Sequence, residues 1–121
     1  MTGLNDTGKN MMLESGIGTA FAYASLHTAD PGTGGTSEVT GGSPAYARKA
    51  LTWATAATHA KASSNAQVFD VPASTTITHL GYWSASSGGT FYGSRALDTD
   101  QTFATQGTYT VAIGGIVESL T

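Results

Sequence analysis

Cysteine is absent from the 121-residue chain, so neither a disulfide nor a thiolate can contribute to its fold or chemistry. Charge is also scarce, because only 11% of the residues are Asp, Glu, Lys or Arg, against roughly 25% in ordinary soluble domains. The net charge of -3 lacks the basic excess that nucleic-acid binding requires. The buried centre of a protein–protein interface is depleted of charged residues, so the composition is compatible with packing against neighbouring subunits. It is equally compatible with a neutral surface that has no partner.

Long hydrophobic runs are missing too. No segment approaches the roughly 18 apolar residues that span a membrane, and the first residues show no basic region followed by an apolar one, as an export signal would. We therefore expect a soluble protein without membrane contact. A chain of 121 residues is most simply one domain, and it is long enough to form a hydrophobic core of its own.

Short segments rich in β-branched and aromatic residues predict a chain built from strands. Alternating side chains indicate a first strand from Thr19 to His27, and turn residues such as Ser87-Gly88-Gly89 separate later segments. Asp98-Thr99-Asp100 is predicted as a turn, and residues 54–64 allow a strand end, a loop or a helical turn. The other predicted strands are Tyr46 to Ala54, Ala66 to Val71, Thr76 to Trp83, Thr90 to Leu97, Gln101 to Ala104 and Thr108 to Leu120.

About seven short strands without intervening helices favour an all-β fold, a single antiparallel β-sandwich of jelly-roll or immunoglobulin-like type, over residues 19–121. Residues 1–18 are predicted to form an N-terminal arm with a short helix, which Asn5 or Asp6 caps. A helix this short is marginal alone and needs the domain body or a neighbouring subunit to lie on. The arm and its predicted helix supply the first candidate contact residues: Leu4, Met11, Met12 and Leu13.

No catalytic, cofactor-binding or metal-binding site is predicted, because each candidate fails the spacing of its motif. The three histidines show no metal-ligand spacing, even with Asp30 or Asp70 as a further ligand. The Gly-x-Ser-x-Gly sequence of a hydrolase is missing, and the Gly-Thr-Gly-Gly sequence lacks the ending of a phosphate loop. We expect a protein that is not an enzyme, and a flexible connection after the first strand. The histidines are His27, His59 and His79.

The aromatic residues of the later strands could form either a sugar-stacking platform or the interior of the sandwich. Alternation along a strand places Tyr82 and Trp83 on opposite faces, so one is expected in the core and the other outside. Core packing is favoured for the group of Trp53, Tyr82, Trp83, Phe91 and Tyr92. The candidate ligand-facing aromatics of the alternative are Tyr82, Trp83 and Tyr92.

Several motifs follow one another in fixed order along the chain. They are Asp6-Thr7-Gly8-Lys9-Asn10, Ser25-Leu26-His27-Thr28-Ala29-Asp30-Pro31-Gly32, Glu38-Val39-Thr40-Gly41-Gly42-Ser43, Tyr46-Ala47-Arg48 and Thr78-His79-Leu80-Gly81-Tyr82-Trp83. With these motifs the sequence resembles, over nearly its whole length, a family of small virion structural proteins of tailed bacteriophages. The functional labels of that family range from head decoration to tail fibre. The resemblance implies a non-enzymatic β-sandwich, present in many copies on the particle and without a cofactor.

The first expectation from this resemblance is a capsid-decoration, or minor capsid, protein that binds and stabilises the head shell. Its partners would be the major capsid protein and further copies of itself, in a homo-oligomer such as a trimer, without nucleic acid. It would be assembled in the host cytoplasm and reside in the virion. The alternative is a tail-fibre or baseplate module that recognises a cell-surface glycan. Further candidate contact residues are Asp30, Pro31, Glu38 and Val39.

Overall fold

The computed structural model describes residues 16, 20–56, 60–112 and 117–119. All strand pairs within them are antiparallel, which confirms the prediction of an all-β antiparallel fold. The helix predicted within residues 1–18 lies outside the described residues. The strands are β1 (Tyr23–His27), β2 (Lys49–Ala50), β3 (Ala60–Ala62), β4 (Gln67–Val71), β5 (Thr75–Trp83), β6 (Phe91–Phe103), β7 (Gly107–Val111) and β8 (Val117–Ser119).

The strands form one four-stranded sheet, in the order β2-β1-β5-β6, and two pairs, β3-β8 and β4-β7. The central pair of the larger sheet aligns Ala24 with Tyr82 and Ser25 with Gly81. Because side chains alternate across a strand, Ala24 and Tyr82 lie on one face of the sheet, and Ser25 and Gly81 lie on the other. The two faces have different roles.

The first face of the four-stranded sheet joins the β4-β7 pair in one hydrophobic core. Leu26 of β1, Phe69 of β4 and Ile77 of β5 are completely buried there. Full burial of one such side chain stabilises the fold by about 1.5–3 kcal/mol. The remaining buried members of this cluster are Ala24, Val39, Leu51, Val71, Leu80, Tyr82 and Val111.

On the second face, the chain that follows β1 covers Trp83, because Gly35 packs against its ring and the Arg48 guanidinium lies 3.7 Å from the ring centroid. Tyr82 and Trp83 point to opposite faces, as predicted, yet Tyr82 is 2% exposed and Trp83 only 8% exposed. The expectation that one of them faces solvent is therefore wrong. The physical reason is that the end of β5 is buried on both faces of the sheet, which alternation within one strand cannot reveal.

Residues 46–54 form less strand than predicted. Only Lys49–Ala50 pairs with β1. Here the Asn65 side chain pairs with the backbone in place of a neighbouring strand. Its Oδ1 accepts a hydrogen bond from Thr52 N at 3.0 Å, and its Nδ2 donates to Ala50 O at 2.9 Å. These backbone groups are thereby satisfied without extending the strand.

The predicted turn at Asp98-Thr99-Asp100 does not reverse the chain. β6 continues through it as one strand of 13 residues, so the prediction of two separate strands is wrong. The register pairs His79 with Ala96 and Ile77 with Gln101, which leaves Thr78 alone facing residues 97–100. The turn-forming residues are accommodated as a bulge of β6 rather than as a chain reversal.

The other predicted strands agree better with the structure. The predicted strands Ala66 to Val71 and Thr76 to Trp83 are present as β4 and β5, with one bound shifted by one residue in each. The first strand is shorter than predicted and begins at Tyr23. The last predicted strand, Thr108 to Leu120, contains β8 and all of β7 except Gly107, and the unassigned residues 54–64 contain β3.

Candidate functional site

The segment from Ser25 to Ser43 gathers a histidine, two acids and many glycines, so it is the first candidate for a site. After β1 the chain returns antiparallel to it. Thr28 N donates to Ser37 O at 2.9 Å, and Val39 N donates to Leu26 O at 3.0 Å. The segment is therefore a hydrogen-bonded extension of the sheet along the β1 edge that β2 also uses. The expectation of a flexible connection is wrong here, because backbone hydrogen bonds hold both ends of the turn.

The turn is closed by its own polar groups. Asp30 Oδ1 accepts a hydrogen bond from Gly32 N at 2.9 Å, and Pro31 O accepts one from Gly35 N at 3.1 Å. Gly35 has a φ of 73° and lies so close to Trp83 that a Cβ atom there would stand 2.6 Å from ring atom Cη2. A glycine is therefore required both by the backbone conformation and by the packing of the turn on the sheet.

A buried chain of hydrogen bonds runs beneath this turn. Trp83 Nε1 donates to Ser25 Oγ at 2.9 Å, Ser25 Oγ lies 2.6 Å from His27 Nε2, and His27 Nδ1 lies 2.7 Å from Thr36 O. Because the Thr36 carbonyl can only accept, His27 carries its proton on Nδ1, and Nε2 accepts from the serine hydroxyl. Every polar atom of the chain thus has a partner, as burial demands.

The Ser25 and His27 pair has the separation of a nucleophile and its base but lacks two other requirements. Both side chains are 0% exposed, so a substrate has no route to them. The second imidazole nitrogen faces a carbonyl oxygen, whereas a catalytic triad places a carboxylate there. We interpret the pair as structural, and the absence of enzymatic activity stays a prediction.

Arg48 connects the returning segment to the β5-β6 hairpin. Its Nε and Nη2 donate to the two carboxylate oxygens of Glu38, each at 2.9 Å, in a bidentate ion pair. Its Nη1 donates to the carbonyl oxygens of Ala85 at 3.0 Å and Gly88 at 2.8 Å. The guanidinium carbon lies 3.7 Å from the centroid of the Trp83 ring. The side chains of Arg48 and Glu38 are 8% and 21% exposed, so water screens this ion pair only weakly.

The hydroxyl of Tyr46 links the ion pair to β1. It donates to Glu38 Oε2 at 2.9 Å and accepts from Leu26 N at 2.9 Å. Burial raises the pKa of Tyr46 well above its ordinary value, and the Glu38 carboxylate raises it further. The hydroxyl therefore remains a donor, and Glu38 is held from two sides.

His27 makes the stability of the protein dependent on pH. Burial lowers the pKa of His27 below its ordinary value of about 6.5, although the Thr36 carbonyl and Glu38 oppose this effect. The unfolded chain thus takes up a proton at a pH where the native imidazole stays neutral. The contribution of the neutral His27 to the free energy of unfolding is fully present above about pH 6.5 and is lost as the pH falls toward the folded-state pKa. We expect the urea midpoint to decrease between about pH 7 and pH 5.

Two variants separate His27 from the other titrating groups in this prediction. His27→Gln should be less stable than the wild type near neutral pH but should show a flatter pH profile. His79→Gln should retain most of the decrease, because burial contributes more than His79 to the lowered pKa of His27. An equal decrease in wild type and His27→Gln would assign the pH dependence to other groups.

Three aromatic rings stack on the core face of the four-stranded sheet. Phe21 stacks on Tyr82 with ring centroids 5.0 Å apart and on Tyr92 with centroids 5.3 Å apart. Tyr82 is buried, whereas Tyr92 is 45% exposed. Of the three candidate ligand-facing aromatics, Tyr92 is the one that presents its ring to solvent, since Trp83 is buried as well.

The candidate contact residues occupy different environments. Pro31 and Val39 are buried within the chain, Glu38 is held in the ion pair with Arg48, and Asp30 is exposed. Their contacts with a neighbouring subunit stay predictions. Other singled-out residues lie outside the described part of the chain: Leu4, Met11, Met12, Leu13 and His59.

Sequence reasoning did not predict the cluster that Ser25, Gly81 and Arg48 form with the side chains they contact beneath the turn. Gly81 lies directly opposite Ser25, and it was noted only as part of a motif. The one usable signal was Arg48, one of five basic residues in a charge-poor chain. A basic residue in such a chain indicates a specific partner, but it does not identify Glu38 as that partner.

Metal binding and membrane insertion can be assessed for the described ranges alone. There, no group of three or more His, Asp or Glu side chains lies close enough to hold a metal ion. Within the same residues, no helix has the length and apolar character to cross a membrane.

Comparison with known proteins supports the resemblance to virion structural proteins of phages. A family model described as podophage GP4 fiber I protein gp80 matches residues 10–119, which is nearly the whole chain. No curated protein matches the sequence. The description of the family names a fibre, so it favours the tail-fibre alternative and lends no support to capsid decoration. The chain is a structural protein of a bacteriophage virion and belongs to the podophage GP4 fiber I protein gp80 family.

Proposed function

We propose that the protein is a subunit of the phage tail fibre and that it recognises a glycan on the host cell surface. The family match over residues 10–119 carries the fibre part of the proposal. Our first expectation, a capsid-decoration protein, has no comparable support. The proposed role requires binding alone, without catalysis or a cofactor.

The fold suits a subunit of this kind. We propose that the four-stranded sheet and the β4-β7 pair pack face to face as a β-sandwich. Leu26 and Phe69, one from each sheet, belong to the same buried cluster, and the rings of Tyr46 and Phe69 stack with centroids 6.3 Å apart. The strands at the centre of the larger sheet, β1 and the end of β5, are buried on both faces. A centre packed in this way is a rigid support for the exposed side chains of the neighbouring β6.

The location of the protein on the virion tests the fibre proposal. Gold-labelled antibody against the protein should mark the tail of intact particles in electron micrographs, with few copies per particle. Label distributed over the head would contradict the proposal and restore capsid decoration.

Light scattering on the purified protein should give a multiple of the 12.3 kDa chain mass, since virion subunits associate with copies of themselves. A monomer at every concentration would contradict self-association.

Tyr92 is the observation that favours glycan recognition. The residue is 45% exposed, and its ring is held from one side by Phe21, with centroids 5.3 Å apart. An aromatic ring that is fixed by stacking and open to solvent can receive the apolar C–H face of a sugar ring. The shortage of charge on the chain agrees with an uncharged ligand.

We expect Tyr92→Ala to weaken binding of the purified protein to cells of the propagating host about tenfold, since the lost aromatic contact contributes about 1 kcal/mol or more. Val68→Ala is the matched control. Val68 is 48% exposed but lies on β4, in the other sheet, so its replacement should leave cell binding unchanged. Flow cytometry with fluorescently labelled protein measures both. Unchanged binding by a folded Tyr92→Ala variant would argue against this role of the ring.

A further inference from the structure

A cavity of about 300 Å³ opens between β6 and β7. Leu80 and Val111 of the hydrophobic core line it, but they are only 4% and 7% exposed, so most of its accessible lining is polar. Its rim is polar and comes from β6, including the bulge, and from β7. The rim residues are Arg95, Asp98, Gln101 and Tyr109.

The bulge of β6 brings Asp98 to this rim. Residues 97–100 have no separate partners on β5, since Thr78 alone faces all of them. A bulge of this kind bends a strand and redirects its side chains. The turn-forming Asp98-Thr99-Asp100 sequence thus places Asp98 and Thr99 in the lining of the cavity.

The cavity lies on the same face of the sheet as the Tyr92 ring. Leu80 and Tyr82 are two residues apart on β5, so their side chains share a face. Leu80 lines the cavity, whereas Tyr82 lies beneath the stack of Phe21 and Tyr92. On β6, Tyr92 and Arg95 are three residues apart, or roughly 10 Å along an extended strand. The exposed ring and the cavity are therefore neighbours on one surface.

The rim can pair with hydroxyl groups in both directions. The carboxylate of Asp98 accepts hydrogen bonds, and the amide of Gln101, whose nitrogen donates to Thr99 O at 3.2 Å, has an oxygen that can accept them. Burial raises the pKa of Tyr109, and nearby Asp98 raises it further, so the phenol remains a donor. The charges of Arg95 and Asp98 cancel, which suits a neutral ligand rich in hydroxyls better than an ion.

We propose that this cavity binds a neutral sugar unit with adjacent hydroxyl groups and that Tyr92 stacks on the next unit of the same glycan. The inference rests on the proposed glycan recognition and names the site for it. The two oxygens of Asp98 accept from adjacent hydroxyls of the sugar, and the polar lining suits a ligand rich in hydroxyl groups. A volume of roughly 300 Å³ is at the lower end of the range of small-ligand sites.

A nuclear magnetic resonance titration of the full chain tests the cavity directly. The probes are the methyl glycosides of glucose, galactose and mannose, with methyl 2-deoxyglucoside and methyl glucuronide for comparison. At least one neutral glycoside should shift the amide signals of residues 95–101 and of Tyr109 in a saturable manner. The glucuronide should bind more weakly than the corresponding neutral sugar. No saturable shift with any neutral glycoside would overturn the inference.

Asp98→Asn should weaken glycoside binding about tenfold, because a charged acceptor is replaced by a neutral one. Asp100→Asn is the matched control, since Asp100 is an exposed residue of the same bulge but does not line the cavity. Equal weakening by both variants, or by neither, would contradict the assignment. A change of oligomeric state in Asp98→Asn alone would show that the cavity receives a neighbouring subunit, and this too would overturn the inference.

Cell binding separates this inference from the proposed function. If Tyr92→Ala loses cell binding while Asp98→Asn retains both cell and glycoside binding, the cavity inference fails and glycan recognition stands. If a neutral glycoside binds the cavity but the wild type binds no host cells, the proposed recognition fails and the sugar site stands.

Discussion

Gly81→Ala should destabilise the protein by about 3 kcal/mol or prevent it from folding. A Cβ atom at position 81 would stand 2.5 Å from Ser25 Oγ and 2.6 Å from His27 Nε2, both of which are completely buried. Neither side chain can move aside without losing a hydrogen bond, because Ser25 also accepts from Trp83 Nε1 and His27 also pairs with Thr36 O. The substitution therefore combines overpacking with unsatisfied buried polar groups. Urea denaturation followed by tryptophan fluorescence measures the loss.

Gly34→Ala is the matched control for this prediction. A Cβ atom at Gly34 would meet nothing within 4 Å, and neither Gly34 nor Gly81 has a positive φ. The two substitutions thus differ in the space available and not in the backbone conformation. Gly34→Ala should change the free energy of unfolding by less than about 1 kcal/mol. Similar stability of the two variants would mean that the close approach at Gly81 is relieved by rearrangement.

Arg48→Ala should reduce the free energy of unfolding by about 3 kcal/mol, a large share of the roughly 5–15 kcal/mol of a typical domain. The variant loses four hydrogen bonds and the contact with the Trp83 ring. It also leaves the Glu38 carboxylate, 21% exposed, with the Tyr46 hydroxyl but no opposite charge. Thermal denaturation and urea denaturation should both report the loss. A variant as stable as the wild type would contradict the role of Arg48 in holding the segment to the hairpin.

Arg48→Lys tests whether geometry or charge matters at this position. Lysine retains the positive charge but cannot form a bidentate pair with Glu38 while also reaching the two hairpin carbonyls. We expect most of the stability loss of Arg48→Ala to persist in Arg48→Lys. Combining Arg48→Ala with Glu38→Gln should cost less than the sum of the single changes, because the second change removes the uncompensated charge. Full additivity would show that the two residues act independently.

The strand pattern was readable from the sequence where the signal is local. The segments that became β4 and β5 carry alternating side chains and turn residues at their ends, and both are present within one residue of the predicted bounds. The Asp98-Thr99-Asp100 turn failed because its residues are compatible with a bulge as well as with a chain reversal. The long-range pairing of β6 with β5 selects the bulge.

The candidate site was less accessible to sequence reasoning. The sequence indicated Tyr82, Trp83 and Tyr92 as candidate ligand-facing aromatics, but Tyr82 and Trp83 are buried in the structure. The polar rim at Arg95, Asp98, Gln101 and Tyr109 was not recognised as a group. Its members come from two strands that pair with different neighbours, so no spacing within the chain could indicate that they meet.

By itself the sequence determined the all-β antiparallel class, the opposite directions of Tyr82 and Trp83, and the resemblance to phage virion proteins, because strand periodicity and motif order are local properties. Only the tertiary structure decided that the centre of the main sheet, β1 and the end of β5, is covered on both faces. That covering depends on contacts between distant residues, such as the hydrogen bond from Trp83 to Ser25 across 58 positions and from Arg48 to Ala85 across 37. Packing of this kind depends on the whole chain. It places the glycine-rich segment, first considered as a candidate active site, against the sheet as part of the fold, and it leaves Tyr92 at the surface.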